Sequence, residues 1–191
     1  MIFQGFVSVR GSVMGCQNTL MSGETTVPFS TPWFDILATK INDSEAPYYY
    51  LRLPDYVTVV ATTSRNSVLL VRQYRPAVEC HLLELPSGTV DPGELPADAA
   101  RRELAEETGY HAADLALLGS LLPDCGRLSN KLWCYHARGV VPLAEWKPEV
   151  GIEVVECSPA ELIEYIRRGE FNHALNLAAV LLSLLRGHIS G

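Results

Sequence analysis

The chain has 191 residues, 48% hydrophobic and 19% charged, with a formal net charge of −7. That is one domain's worth of chain with enough apolar residues for a substantial core, and its acidic balance argues against a surface that coats nucleic acid. Five cysteines without a CxxC pair argue against a zinc site or a disulfide framework and fit a reduced, cytoplasmic protein, and neither a signal peptide nor a membrane-length apolar run is expected.

In chain order, Phe3–Val13 alternates loosely and is expected to form a strand pair, with the Ser, Gly, Thr and Pro residues up to residue 32 as loop. Trp33–Ile41 and Tyr48–Leu53 are aromatic and β-branched around a polar connection, a hairpin signal. Tyr56–Thr63 and Ser67–Arg72 flank Ser64-Arg65-Asn66 as a second hairpin, and His81–Leu85 is a short strand leading to Pro86-Ser87-Gly88. A helix should begin near Pro96, after the turn-prone Asp91-Pro92-Gly93, and stop at Gly109. Strands follow at Leu115–Leu122, Lys131–Gly139 and Ile152–Cys157. Ser158-Pro159-Ala160-Glu161 is a capping box opening a helix to about Arg168, and Asn172 is the expected N-cap of a last helix, His173–Arg186. The alternation predicts an α/β (α+β) layering with a mixed central sheet. No repeat or low-complexity linker interrupts the chain. Residues 1–54 read as a β-rich appendage to a domain at 55–191.

The chemistry concentrates in the first helix. Glu103 and Glu107 are four residues apart and share a face, with Glu106 adjoining them. Like charges at this spacing repel by roughly 0.2–0.5 kcal/mol per pair, and a divalent cation converts that repulsion into a site, because Mg²⁺ favours a few carboxylates plus phosphate oxygens and water. Ala97, Ala100 and Leu104 form a separate apolar stripe for packing on a sheet.

Gly88, five residues, Glu94, seven residues, Arg102-Glu103-Leu104-Ala105-Glu106-Glu107-Thr108-Gly109 resembles a complete Nudix box. The run Val71-Arg72-Gln73-Tyr74-Arg75-Pro76, the entry Glu84-Leu85-Pro86-Ser87-Gly88 and the segment Ile166–Asn172 are similar to the ADP-ribose pyrophosphatase branch of that superfamily. The resemblance implies an α/β/α sandwich and Mg²⁺-dependent hydrolysis, with Mn²⁺ as the alternative ion. The substrate implied is ADP-ribose or a related nucleoside diphosphate sugar, cut into nucleoside monophosphate and sugar phosphate. A GDP-sugar as substrate, or a non-catalytic module that senses ADP-ribose, are the competing readings, and the intact glutamates speak against the sensor.

The same resemblance implies the site. Glu103, Glu106, Glu107 and the Ser87 carbonyl are the expected metal ligands, and Glu106 and Glu107 count with Glu149 as catalytic. Glu149 is the best candidate for the base that takes a proton from water, with Glu153 behind it. Gly88, Glu94, Arg102 and Gly109 are expected to shape the box, Glu94 and Arg102 as an ion pair, and Glu84 lies close enough to join the outer shell. Arg75 is the choice for the pyrophosphate or terminal ribose, since a guanidinium grips phosphate bidentately; a surface ion pair is its other reading. Arg72, three residues earlier, faces the opposite way if the strand continues. Trp33, Tyr49 and Tyr50 fall where base-stacking aromatics are expected, or pack at a dimer interface. Arg127 contacts phosphate or serves the turn in Asp124–Asn130. An isolated two-stranded hairpin is marginal in water, so a homodimer through the N-terminal region is expected, with no nucleic acid or membrane partner. Exchanging Glu107 for Gln is expected to alter only a solvent-side charge.

Overall fold

The computed structural model describes residues 24–42 and 44–190; the strand pair expected at Phe3–Val13 lies outside them. Three layers follow from the alternation in the central strands. In β4 (Tyr56–Thr63), Val57, Val59 and Ala61 face one core cluster with Ala99, Ala100 and Leu104 of α1 (Pro96–Thr108). Val60 faces the other, with Leu162 of α2 (Pro159–Arg168) and Ala179 and Val180 of α3 (Ala174–Leu185). β5 (Val68–Arg75) divides the same way, Leu69 to one side and Val68 and Leu70 to the other. Period-two side-chain placement thus serves two apolar faces at once, and the expected sandwich is present.

The sheet is mixed. β10 (Leu132–Pro142) runs parallel to β4, with Tyr135 opposite Val59. The remaining pairings are antiparallel: β4 with β5 and with β7 (Ser87–Thr89), β5 with β6 (Cys80–Glu84) and β11 (Ile152–Cys157), and β10 with β8 (Tyr110–His111) and β9 (Asp114–Leu121). The α2 capping box forms as expected, Ser158 and Glu161 capping reciprocally. At α3 the expectation fails by one residue: the N-cap is His173, without a side-chain cap, and not Asn172.

Among the described residues, the N-terminal region is a three-stranded antiparallel sheet, not a hairpin. β1 (Thr25–Ser30), β2 (Asp35–Thr39) and β3 (Tyr48–Arg52) follow one another. β1 occupies a stretch read as loop because its TTVPFS run is exposed throughout and carries a proline, which only an edge strand tolerates. Trp33 falls in the β1–β2 turn and not in a strand. The small sheet joins the main body where Leu51 N–H donates to the Arg127 carbonyl and Ser129 N–H to the Leu51 carbonyl, 2.8 and 3.0 Å.

Candidate active site

Between β6 and α1 the chain is held by backbone-directed contacts. Leu85 N–H donates to Asn176 Oδ1 at 2.9 Å, Val59 N–H to the Pro86 carbonyl at 3.0 Å, and Ser87 Oγ to Thr58 Oγ1 at 2.8 Å. Asn176 and Thr58 are buried, so the segment is anchored to both α3 and β4 by groups already desolvated.

Arg102 ties this loop to the helix. Its guanidinium reaches Glu94 at 3.0 and 2.9 Å, the Thr89 carbonyl at 2.9 Å, Glu103 at 2.8 Å and Glu106 at 3.2 Å. The hydrogen bond to Glu94 leads in raising the Arg102 pKa and holds the Glu94 carboxyl below its ordinary range. The expected Glu94–Arg102 pair is present, and it extends to two of the three box glutamates.

Glu103 and Glu107 tuck under the loop, whereas the Glu106 side chain is 55% exposed. Glu107 is only 6% exposed, so the expectation that it carries a solvent-side charge is wrong. Its register points out of the apolar stripe, but the Ser87 turn covers it and Ser87 N–H donates to its Oε2 at 2.9 Å. Burial pushes Glu107 up to about 7; Ser87 N–H opposes the shift, the Glu103 charge adds to it, Arg75 opposes it, and Glu149 adds to it. Glu149 therefore lies within electrostatic reach of Glu107. Burial also raises Glu103, against the Arg102 hydrogen bond.

A cleft of about 290 Å³ opens on the Ser87–Gly88 turn, lined by Arg75, Glu84, Ser87 and Gly88 on one side and His173 and Asn176 on the other, and by no residue of α1. Arg75 holds buried Glu84 through two hydrogen bonds, 3.0 and 2.5 Å, so both alternatives weighed for it have a physical basis: it is ion-paired and it faces the cleft. β5 continues through Arg75, and Arg72 pairs with Glu153 at 2.9 Å, an exposed contact. Sequence reasoning missed His173 and Asn176, which only the packing of α3 against Leu85 brings to the cleft. The Nδ1 of His173 is buried and finds no hydrogen-bond partner among the described residues.

The aromatic residues gather elsewhere. Tyr49, Tyr50 and Arg127 line a separate cavity of about 410 Å³ with Tyr48, where the Arg127 guanidinium sits 5.2 Å from the Tyr48 ring centre and donates to the Gly126 carbonyl at 2.8 Å. Trp33 lines neither cavity and is 78% exposed.

Among the described residues no three His, Cys, Asp or Glu side chains converge closely enough to encage an ion by themselves. Two desolvated carboxylates beside an open cleft instead fit a hard cation that takes its other ligands from water and a phosphate, the habit of Mg²⁺. A model of the NUDIX domain matches residues 52–176, which include this loop, helix and cleft. The chain belongs to the NUDIX family. A methanol dehydrogenase activator of Bacillus methanolicus is 30% identical over 68% of this chain and 72% of its own length. An ADP-ribose pyrophosphatase of Bacillus subtilis is 29% identical over 66% and 70%. The crystal structure of an ADP compounds hydrolase superposes with a TM-score of 0.72 at 26% identity, covering 86% of this NUDIX chain and 93% of that one.

Proposed function

We propose that the chain is a Mg²⁺-dependent pyrophosphohydrolase that cleaves ADP-ribose or a related ADP-sugar into AMP and a sugar phosphate. The Glu103–Glu107 pair carries the reading: two carboxyl groups largely shielded from solvent under the Ser87–Gly88 turn, which itself lines the Arg75 cleft. Neighbouring NUDIX proteins named for ADP-ribose and ADP compounds support the substrate class.

Glu103 and Glu107, with the Ser87 carbonyl and Glu106, would hold the cation, for which Mn²⁺ can substitute. When bound, the ion neutralises charge on the diphosphate and acidifies the attacking water. The protein's own groups do the remainder. Arg75 faces the diphosphate, Glu149 accepts the proton from water, and the Ser87 N–H and Arg102 hold the glutamates in register while water is excluded. Tyr49, Tyr50 and Arg127 provide an aromatic and cationic surface for the base, completed by a second copy of the chain. Residues 1–54 then form a dimer-building region on the hydrolase domain 55–191. Free thiols at Cys80, Cys125, Cys134 and Cys157 support a reducing, cytoplasmic setting.

A panel of nucleoside diphosphate derivatives incubated with protein and Mg²⁺ or Mn²⁺, with products identified by mass, tests this. AMP and ribose 5-phosphate from ADP-ribose are expected. No cleavage of any diphosphate sugar with either ion would overturn the hydrolase reading.

A further inference from the structure

Leu143–Gly151 joins β10 to β11 without regular structure, and of its nine residues only Trp146 is not exposed. The indole N–H of Trp146 donates to the Glu106 carbonyl at 3.0 Å. That carbonyl is in the last turn of α1, where helical acceptors lack an intrahelical partner. The ring lies over Gly109, the residue that ends the helix with φ of 72°. A Cβ there would overlap the indole carbons, so this glycine both permits the left-handed cap and makes room for the ring. Leu143 N–H adds a 2.8 Å bond to the Gly109 carbonyl. At the other end Ile152 N–H donates to the Glu149 carbonyl at 3.1 Å as β11 begins.

Glu149 is three residues beyond Trp146, and Pro148 in between fixes its own φ and biases Lys147 toward an extended conformation. A link of three residues, one of them proline, therefore connects the indole, bonded at Glu106 beside Glu107, to Glu149. We propose that Trp146 is a positioning residue: by docking the 143–151 loop on the carboxyl end of α1, it fixes where Glu149 stands relative to Glu107. The inference rests on the reading of Glu149 as the base. It assigns Trp146 a role in turnover without contact to substrate.

The test uses the full chain with ADP-ribose and Mg²⁺, comparing Trp146→Phe, which keeps a ring and loses the donor, with Glu149→Gln and the double variant. Misplacing a reacting group by about 1 Å can cost up to about 10²-fold, so Trp146→Phe is expected to lower kcat about tenfold with KM within about twofold. In the Glu149→Gln background the same substitution should change kcat less than about twofold, because a positioning effect vanishes with the group positioned. Multiplying effects, or unchanged kcat in Trp146→Phe, would overturn the proposal. Amide exchange gives an arm independent of activity: Trp146→Ala should speed exchange at Leu143 while the interior amides of α1 stay protected. Unchanged protection at Leu143 overturns docking. A wild-type chain inactive on every diphosphate would remove the hydrolase reading, and with it the effect on turnover, while exchange still decides whether Trp146 holds the loop.

Discussion

A methyl group placed on Gly88 would overlap the carboxylate of Glu103. The bare α-carbon is the surface against which that carboxylate rests, and no rotation of a side chain at position 88 could clear the space. Gly88 is thus a steric requirement of Glu103 and not only a turn residue.

Gly88→Ala should therefore displace Glu103. Disturbing the surroundings of a metal ligand typically costs 10–100-fold in affinity or activity. We expect a loss of about that size in turnover, with the Mg²⁺ concentration for half-maximal rate raised. Wild-type Mg²⁺ dependence in Gly88→Ala would show that the Glu103 carboxylate does not need its present position against residue 88.

Glu107 gives a pH-dependent stability in the metal-free protein. Its folded pKa of about 7 lies above the ordinary 4.5, so the folded state holds the proton more tightly than the unfolded state. The contribution is fully present below pH 4.5, declines as pH rises, and is lost above 7. A shift of that size corresponds to a few kcal/mol at most. Glu107→Gln should flatten this decline between pH 4.5 and 7, be more stable than wild type at pH 8 without metal, and have no Mg²⁺-dependent turnover. Denaturant melts at both pH values check the sign.

Mg²⁺ should oppose the same decline. An ion that binds the folded state alone stabilises it by about 2.7 kcal/mol at one hundred times its Kd. Since the ligands must be ionised, the rise in Tm should be larger at pH 8 than at pH 6. Equal shifts at both pH values would detach the ion from Glu107.

Glu149→Ala should lower kcat by about 10²–10⁴ if the carboxylate is the general base. A loss smaller than about threefold would move that role elsewhere.

The exposed β1 strand with Phe29, and Trp33 in the turn after it, leave large apolar side chains exposed, as at surfaces that mark an interface. Light scattering at micromolar concentration should give twice the chain mass, and a monomer would rule out the shared base pocket.

Much of the fold was legible because it rests on local periodicity. The strand Tyr56–Thr63, the Ser158 capping box and the Pro96-to-Gly109 helix each appear where residue pattern puts them. β1 was not legible, since an exposed edge strand leaves no burial alternation to read. Within the site, Glu94–Arg102 followed from the resemblance to the Nudix box, but the burial of Glu107 did not. It comes from a turn twenty residues away folding over the helix. Trp146 and His173 were equally hidden, because their neighbours in space are forty to nearly ninety residues distant in sequence.

The two hydrogen bonds of Leu51 to Arg127 and Ser129 make the 124–129 loop a continuation of the small N-terminal sheet. Truncation at residue 54 would strip the backbone partner from that loop and leave Arg127 without the Tyr48 ring beneath it. What reads as a removable appendage is the template on which a neighbouring loop takes its shape.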